Sequence, residues 1–69
     1  MNWDRIEGNW MQFKGNAKQQ WGKLTDDQIE VIDGKRDHLI GKIQEVYGIT
    51  KEATEKQVND WLGSQKDID

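Results

Sequence analysis

The chain has no cysteine and no proline, a single histidine, one phenylalanine and one tyrosine in 69 residues, and no run of seven or more apolar residues. Each absence closes a route. Without cysteine there is neither a disulfide nor a thiolate metal site, and the chain suits a reducing compartment. Without a long apolar run, nothing reads as a signal peptide or a membrane-spanning helix, so a cytoplasmic location is the default expectation. With one histidine, a metal site would have to be built from carboxylates, and Asp26-Asp27 or Glu52 with Glu55 are better explained as charges at the positive ends of helices. Leu, Ile, Val and Phe together number 14, close to the composition of disordered chains. Four tryptophans and a net charge of only −3 favour a folded domain of modest stability.

The absence of proline leaves helices uninterrupted, and strong helix formers fill the sequence between its glycines. Trp3, Ile6, Trp10, Phe13, Ala17, Trp21 and Leu24 recur at steps of three or four and share an arc of about 80° on a helical wheel. Thr25-Asp26-Asp27-Gln28 reads as a capping box that starts a second, short helix carrying Ile29 and Ile32 and ending near Asp33-Gly34, where glycine relieves a left-handed or kinked backbone. A third helix carries Leu39, Ile40, Ile43, Val46 and Tyr47 and stops at Gly48. A fourth starts at Thr50, carries Thr54, Val58, Trp61 and Leu62, and is closed by Gly63, leaving residues 64–69 as a polar, frayed tail. The expected fold is all-α: one domain over residues 1–69, built as a small bundle of four short helices in two roughly orthogonal α-hairpins. The predicted core is Ile6, Trp10, Phe13, Trp21, Leu24, Ile29, Ile32, Leu39, Ile43, Val46, Val58, Trp61 and Leu62.

The hairpins look duplicated. Six of the seven glycines form two triplets, Gly8, Gly15, Gly22 and Gly34, Gly41, Gly48, with a step of seven and an offset of 26. Superposing them pairs Phe13 with Leu39, Ala17 with Ile43, Trp21 with Tyr47 and Leu24 with Ile49, so the repeat halves span about 8–33 and 34–62. Gly22 and Gly48 fit as helix ends. Gly8 and Gly15 instead point about 170° from the apolar arc of the first helix and Gly41 about 160° from that of the third. An exposed glycine inside a helix costs about 1 kcal/mol relative to alanine. Gly8 is therefore expected to interrupt the first helix. Gly15 and Gly41 either do the same or keep a face flat for contact with something else.

Several segments resemble the CsbD-like family of small bacterial proteins: Gly8-Asn9-Trp10-Met11-Gln12-Phe13-Lys14-Gly15, Gln20-Trp21-Gly22-Lys23-Leu24-Thr25-Asp26-Asp27, Gly34-Lys35-Arg36-Asp37, Leu39, Gly41-Lys42-Ile43-Gln44 and Tyr47-Gly48. The likeness spans most of the chain; Asn16 departs from it, since the family commonly has lysine there. The resemblance implies a compact helical domain associated with general stress responses in bacteria. It implies no catalytic residues.

The residues agree with that last point. No nucleophile elbow, Walker or dinucleotide fingerprint is present, and a glycine step of seven does not make a phosphate loop. His38 falls about 140° from the apolar centre of its helix and reads as a solvated surface residue. The expectation is a non-enzymatic monomer with no cofactor and no metal. Its partner is unidentified, with a protein favoured, and the candidate interaction face comprises Gly8, Gly15, Gly41, Lys14 and Lys18.

The alternative is a module for nucleic acid or another polyanion. It would use the basic N-terminal half, where Trp10, Phe13 and Trp21 interleave with Lys14, Lys18 and Lys23, together with the Gly48 turn. Residues 1–24 carry a net charge of about +2 and residues 25–69 about −5; the acidic half opposes counterion-driven binding, and the aromatic residues occupy the core-facing arc.

Overall fold

The computed structural model describes residues 2–65, all in helices and the turns between them. Five helices follow one another: α1 (Trp3–Gly8), α2 (Trp10–Gln20), α3 (Asp26–Ile32), α4 (Arg36–Tyr47) and α5 (Lys51–Ser64). They fold into a globule with a Cα radius of gyration of 11.0 Å, in which each helix packs against the next in the chain.

The expected first helix is thus two. After Gly8 the backbone leaves helical geometry at Asn9, at φ −122° and ψ 31°. Asn9 repairs the break from both sides. Its backbone N–H donates to the Arg5 and Ile6 carbonyls and its side-chain amide to the Arg5 carbonyl at 2.9 Å, while its own carbonyl accepts from Gln12. Few hydrogen bonds are lost, so the apolar arc keeps its register across the kink and Ile6, Trp10, Phe13, Ala17, Trp21 and Leu24 all remain buried. Gly15 and Gly41 interrupt nothing; both lie inside continuous helices.

The helix starts follow side-chain chemistry. Thr25 accepts from the Gln28 backbone N–H at 3.1 Å while the Gln28 side chain accepts from the Thr25 backbone N–H at 2.8 Å, a complete capping box. Thr50 accepts from the Ala53 N–H at 3.1 Å. Gly48 ends α4 in the left-handed region at φ 65°, as a glycine can without a Cβ clash. Gly63 does not close α5, which continues to Ser64: Gly63 has a helical backbone, and the Gln65 N–H caps the end on the Leu62 carbonyl. Of the expected tail, Ser64 is therefore helical and Gln65 is the cap, while 66–69 lie outside the described residues.

Eleven of the thirteen expected core residues are buried, and Val46 and Leu62 are only half-buried, packed against the edge of the cluster. Val46 lies in the last turn of α4 and Leu62 in the last turn of α5. Ala17, Ile40 and Thr54 take places in the interior instead. Thr54 does so without leaving its hydroxyl unpaired, because Oγ1 donates to the Thr50 carbonyl one turn back at 2.8 Å.

Two features tie distant parts of the chain together. Trp61 of α5 meets the rings of Trp21, Trp3 and Phe13 at centroid distances of 5.5, 6.1 and 6.3 Å. The turn between α3 and α4 seats Gly34 against the α1–α2 kink, so closely that a Cβ there would lie 2.9 Å from Glu7 Cα and 3.2 Å from both Glu7 O and Trp10 Cβ. The Gly34 carbonyl accepts from the Trp3 indole N–H at 2.7 Å. With φ at 76° as well, Gly34→Ala is expected to cost about 3 kcal/mol, from left-handed strain added to a backbone clash. Urea denaturation of the variant against the parent measures it.

Candidate interaction face

Gly8 at the end of α1 and Met11 and Gly15 on the outward side of α2 follow one another along the surface, flanked by Lys14 and Lys18. Against it lies α3, whose Ile29 is buried and whose Asp26 and Glu30 are exposed. Between the two helices run adjoining open hollows. One, of about 240 Å³, is lined by Lys14, Gly15 and Lys18 from α2 and Asp26, Ile29 and Glu30 from α3. The other, of about 310 Å³, continues past Gly8 and Met11 towards Asp33 and shares Lys14 and Glu30 with the first. Four of the five candidate residues thus border one groove. Gly41 borders two different hollows, with Arg36, Gln44 and Lys51 on one side of α4 and with Val31, His38 and Glu45 on the other.

Both lysines are engaged within the chain. Lys14 Nζ bonds Glu30 Oε2 across the groove at 2.5 Å. Lys18 Nζ donates to the Leu24 carbonyl at the end of the α2–α3 turn and lies 3.9 Å from Asp26 Oδ1. Lys14 and Lys18, two of the four basic residues of the first half, thus face the acidic α3, and Lys23 is placed over the Tyr47 ring at 5.2 Å. The pairs lie at the surface, each worth about 0.2–1 kcal/mol, and they link α2 to α3 beside the buried bond from the Trp10 indole to the Ile29 carbonyl.

The glycines are different. A Cβ built on Gly8, Gly15 or Gly41 would find nothing within 4 Å, so no packing demand inside the chain accounts for them. Beside them stand the two large apolar side chains that are exposed among the described residues, Met11 at 78% and Val31 at 70% exposure. These two were absent from the residue-level expectations, although helical spacing alone puts each about 120–130° from the centre of its helix's apolar side. His38 is exposed, as its position implied. Among the described residues there is no grouping of three or more His, Cys, Asp or Glu side chains placed to hold a metal ion. No described helix is long and apolar enough to cross a membrane.

The family model described as CsbD-like matches residues 4–56. The chain belongs to the CsbD-like family. Among its relatives, UPF0337 protein ECA0631 of Pectobacterium atrosepticum is 66% identical over 66 residues, covering 96% of both chains. UPF0337 protein YjbJ of Escherichia coli K12 is 62% identical over 61 residues, covering 88% of both. UPF0337 protein RPA4217 of Rhodopseudomonas palustris is 58% identical over 66 residues, covering 96% of this chain and all of that one. The chain is thus a small helical member of a bacterial family, with nothing in the comparisons that indicates catalysis.

Because Gly15 and Gly41 are mid-helix, exposed and unopposed, Gly15→Ala and Gly41→Ala are each expected to stabilise the fold by about 0.5–1 kcal/mol. Thermal or urea unfolding of the single and double variants measures this; a loss of stability would mean that these positions serve the fold.

Proposed function

We propose that this CsbD-like chain is a non-enzymatic stress-response protein acting in the cytoplasm as a monomeric, protective protein-interaction domain. The observation that carries the reading is that two helix-interior glycines are kept where alanine would fit and would stabilise the isolated chain. A smooth backbone surface beside exposed Met11 and Val31 suits an adaptable contact with another protein, as flexible, unbranched methionine does at promiscuous surfaces. The interaction face is Gly8, Gly15 and Gly41, with Lys14 and Lys18 bordering it. In this reading the duplicated units, residues 8–33 and 34–62, are two helical hairpins set roughly at right angles, each presenting its mid-helix glycine outward. The test is survival under stress of bacteria lacking the native copy and supplied with either the parent or the Gly15→Ala, Gly41→Ala double variant. The variant is expected to be more stable and less protective; equal protection would remove the glycine face from the function.

Polyanion binding through the N-terminal half and the Gly48 turn is the weaker reading, since Lys14 and Lys18 already face Glu30, the Leu24 carbonyl and Asp26. Titration against single- and double-stranded nucleic acid at low salt is expected to give no measurable binding, and binding that weakens steeply with added salt would reverse the preference.

A further inference from the structure

Asp33–Gly34 is the one aspartyl-glycine step in the sequence, and such a step can rearrange without any enzyme. The amide nitrogen of Gly34, losing its proton, bonds to Cγ of the Asp33 carboxyl group. The carboxyl C–O bond breaks and one water leaves, giving a five-membered succinimide. Water then adds to either ring carbonyl and returns aspartate or leaves isoaspartate, in which the main chain runs through Cβ and Cγ. Nothing is oxidised or reduced, and the mass is unchanged. Glycine is the residue that least shields the attacking nitrogen, because it has no side chain.

The fold opposes this chemistry through geometry. Asp33 is the only described non-glycine residue with a positive φ, at 54°, and its ψ is 34°. At that ψ the Gly34 nitrogen is nearly eclipsed with the nitrogen of Asp33 itself, and so lies on the side of the Cα–C bond turned away from Cβ and the carboxyl group. Ring closure requires a large rotation about this bond. That rotation would carry Gly34 out of its seat, where a Cβ would already be 2.9 Å from Glu7 Cα, and would break the 2.7 Å bond from the Trp3 indole to the Gly34 carbonyl. The Asp33 side of the turn is exposed and supplied with water, so the backbone restraint, rather than exclusion of solvent, is what stops the reaction.

We propose that Asp33–Gly34 is a conformationally gated isomerisation site, silent while α1 and the α3–α4 turn are closed on each other and reactive when they part. Isomerisation adds one carbon to the main chain immediately before Gly34. The seat against Glu7 and Trp10 has no room for the displaced backbone, so the product holds the segment open and a transient opening becomes a lasting one. The inference is independent of the function proposed above.

The test incubates the full chain at neutral pH and physiological temperature, and quantifies isoaspartate at position 33 by peptide mapping that separates the equal-mass isomers. The parent is followed across a urea series, beside Trp3→Phe in water and Asp33→Glu, whose longer side chain forms the ring poorly, as the background. Formation in the parent is expected to be at least about tenfold slower in water than in denaturing urea and to rise along the unfolding transition, as for a reaction that proceeds through an opened state. Trp3→Phe, lacking the indole donor, should react faster than the parent in water, and purified isomerised chain should be less stable than unmodified chain. Equal rates in folded and unfolded parent, a folded Trp3→Phe no faster than the parent, or isomerised chain of unchanged stability would each overturn the proposal. If Trp3→Phe does not fold, the urea series and the stability of the isomerised parent decide it.

Discussion

The fold depends on Trp61. Its ring is the common neighbour of Trp3, Phe13 and Trp21, three residues supplied by α1, α2 and the end of α2. Without it the apolar arc running through the first two helices would have no large partner at its centre. A domain of this size buries a small core and has only a few kcal/mol of stability to lose, and truncating a buried tryptophan typically removes about 3–5 kcal/mol. The indoles also bring hydrogen-bond demands into the interior, and these are met by the main chain and one amide: Trp3 donates to Gly34, Trp10 to Ile29 and Trp21 to Gln57. Among the described residues no buried side-chain polar atom lacks a partner. Aromatic bulk thus substitutes for the aliphatic residues the composition is short of, and its polar edges fix how the helices meet.

The two glycine-spaced segments share some local structure and differ in packing. Thr25 and Thr50 each accept from the backbone N–H three residues on, although only Thr25 has the reciprocal Gln28 bond of a capping box, and Gly15 and Gly41 occupy equally open places in α2 and α4. The first members of the triplets have diverged. Gly8 ends a short helix in solvent, whereas Gly34 is buried with positive φ against the very kink that follows Gly8. Gly34 is the socket for the irregularity that follows Gly8. That relation cannot come from either unit alone, since it needs the α3–α4 turn to be folded back onto α1.

This also separates what the sequence made legible from what it did not. The apolar arc from Trp3 to Leu24, the capping box at Thr25 and the stop at Gly48 are local in origin, and all appear in the structure. Spacing already put Ile40 and Thr54 on the apolar sides of their helices, but that they are buried while Val46 and Leu62 are only half-buried depends on tertiary packing, which spacing alone does not give. Gly63 misled because its effect on a helix is a preference of about 1 kcal/mol, easily overridden when the residues around it pack. At the candidate face, the outward direction of Gly8, Gly15 and Gly41 followed from spacing alone, whereas the partners of Lys14 and Lys18 did not, because α3 had no predicted orientation along α2. Exposure of Met11 and Val31 was within reach of the same angular reasoning.

The place of Trp61 in the order of synthesis has its own consequence. The ribosome makes α1 to α4 before the residue that unites their aromatic rings, and Trp61 lies beyond the stretch 4–56 matched by the family model. A duplicated architecture invites the expectation that the first unit folds while the second is being translated. Here the nascent first unit has Trp3, Phe13 and Trp21 gathered on one side with their common partner still to come, and incomplete chains that expose such surfaces are the ones chaperones hold. The aromatic cluster is therefore complete only once α5 has been made.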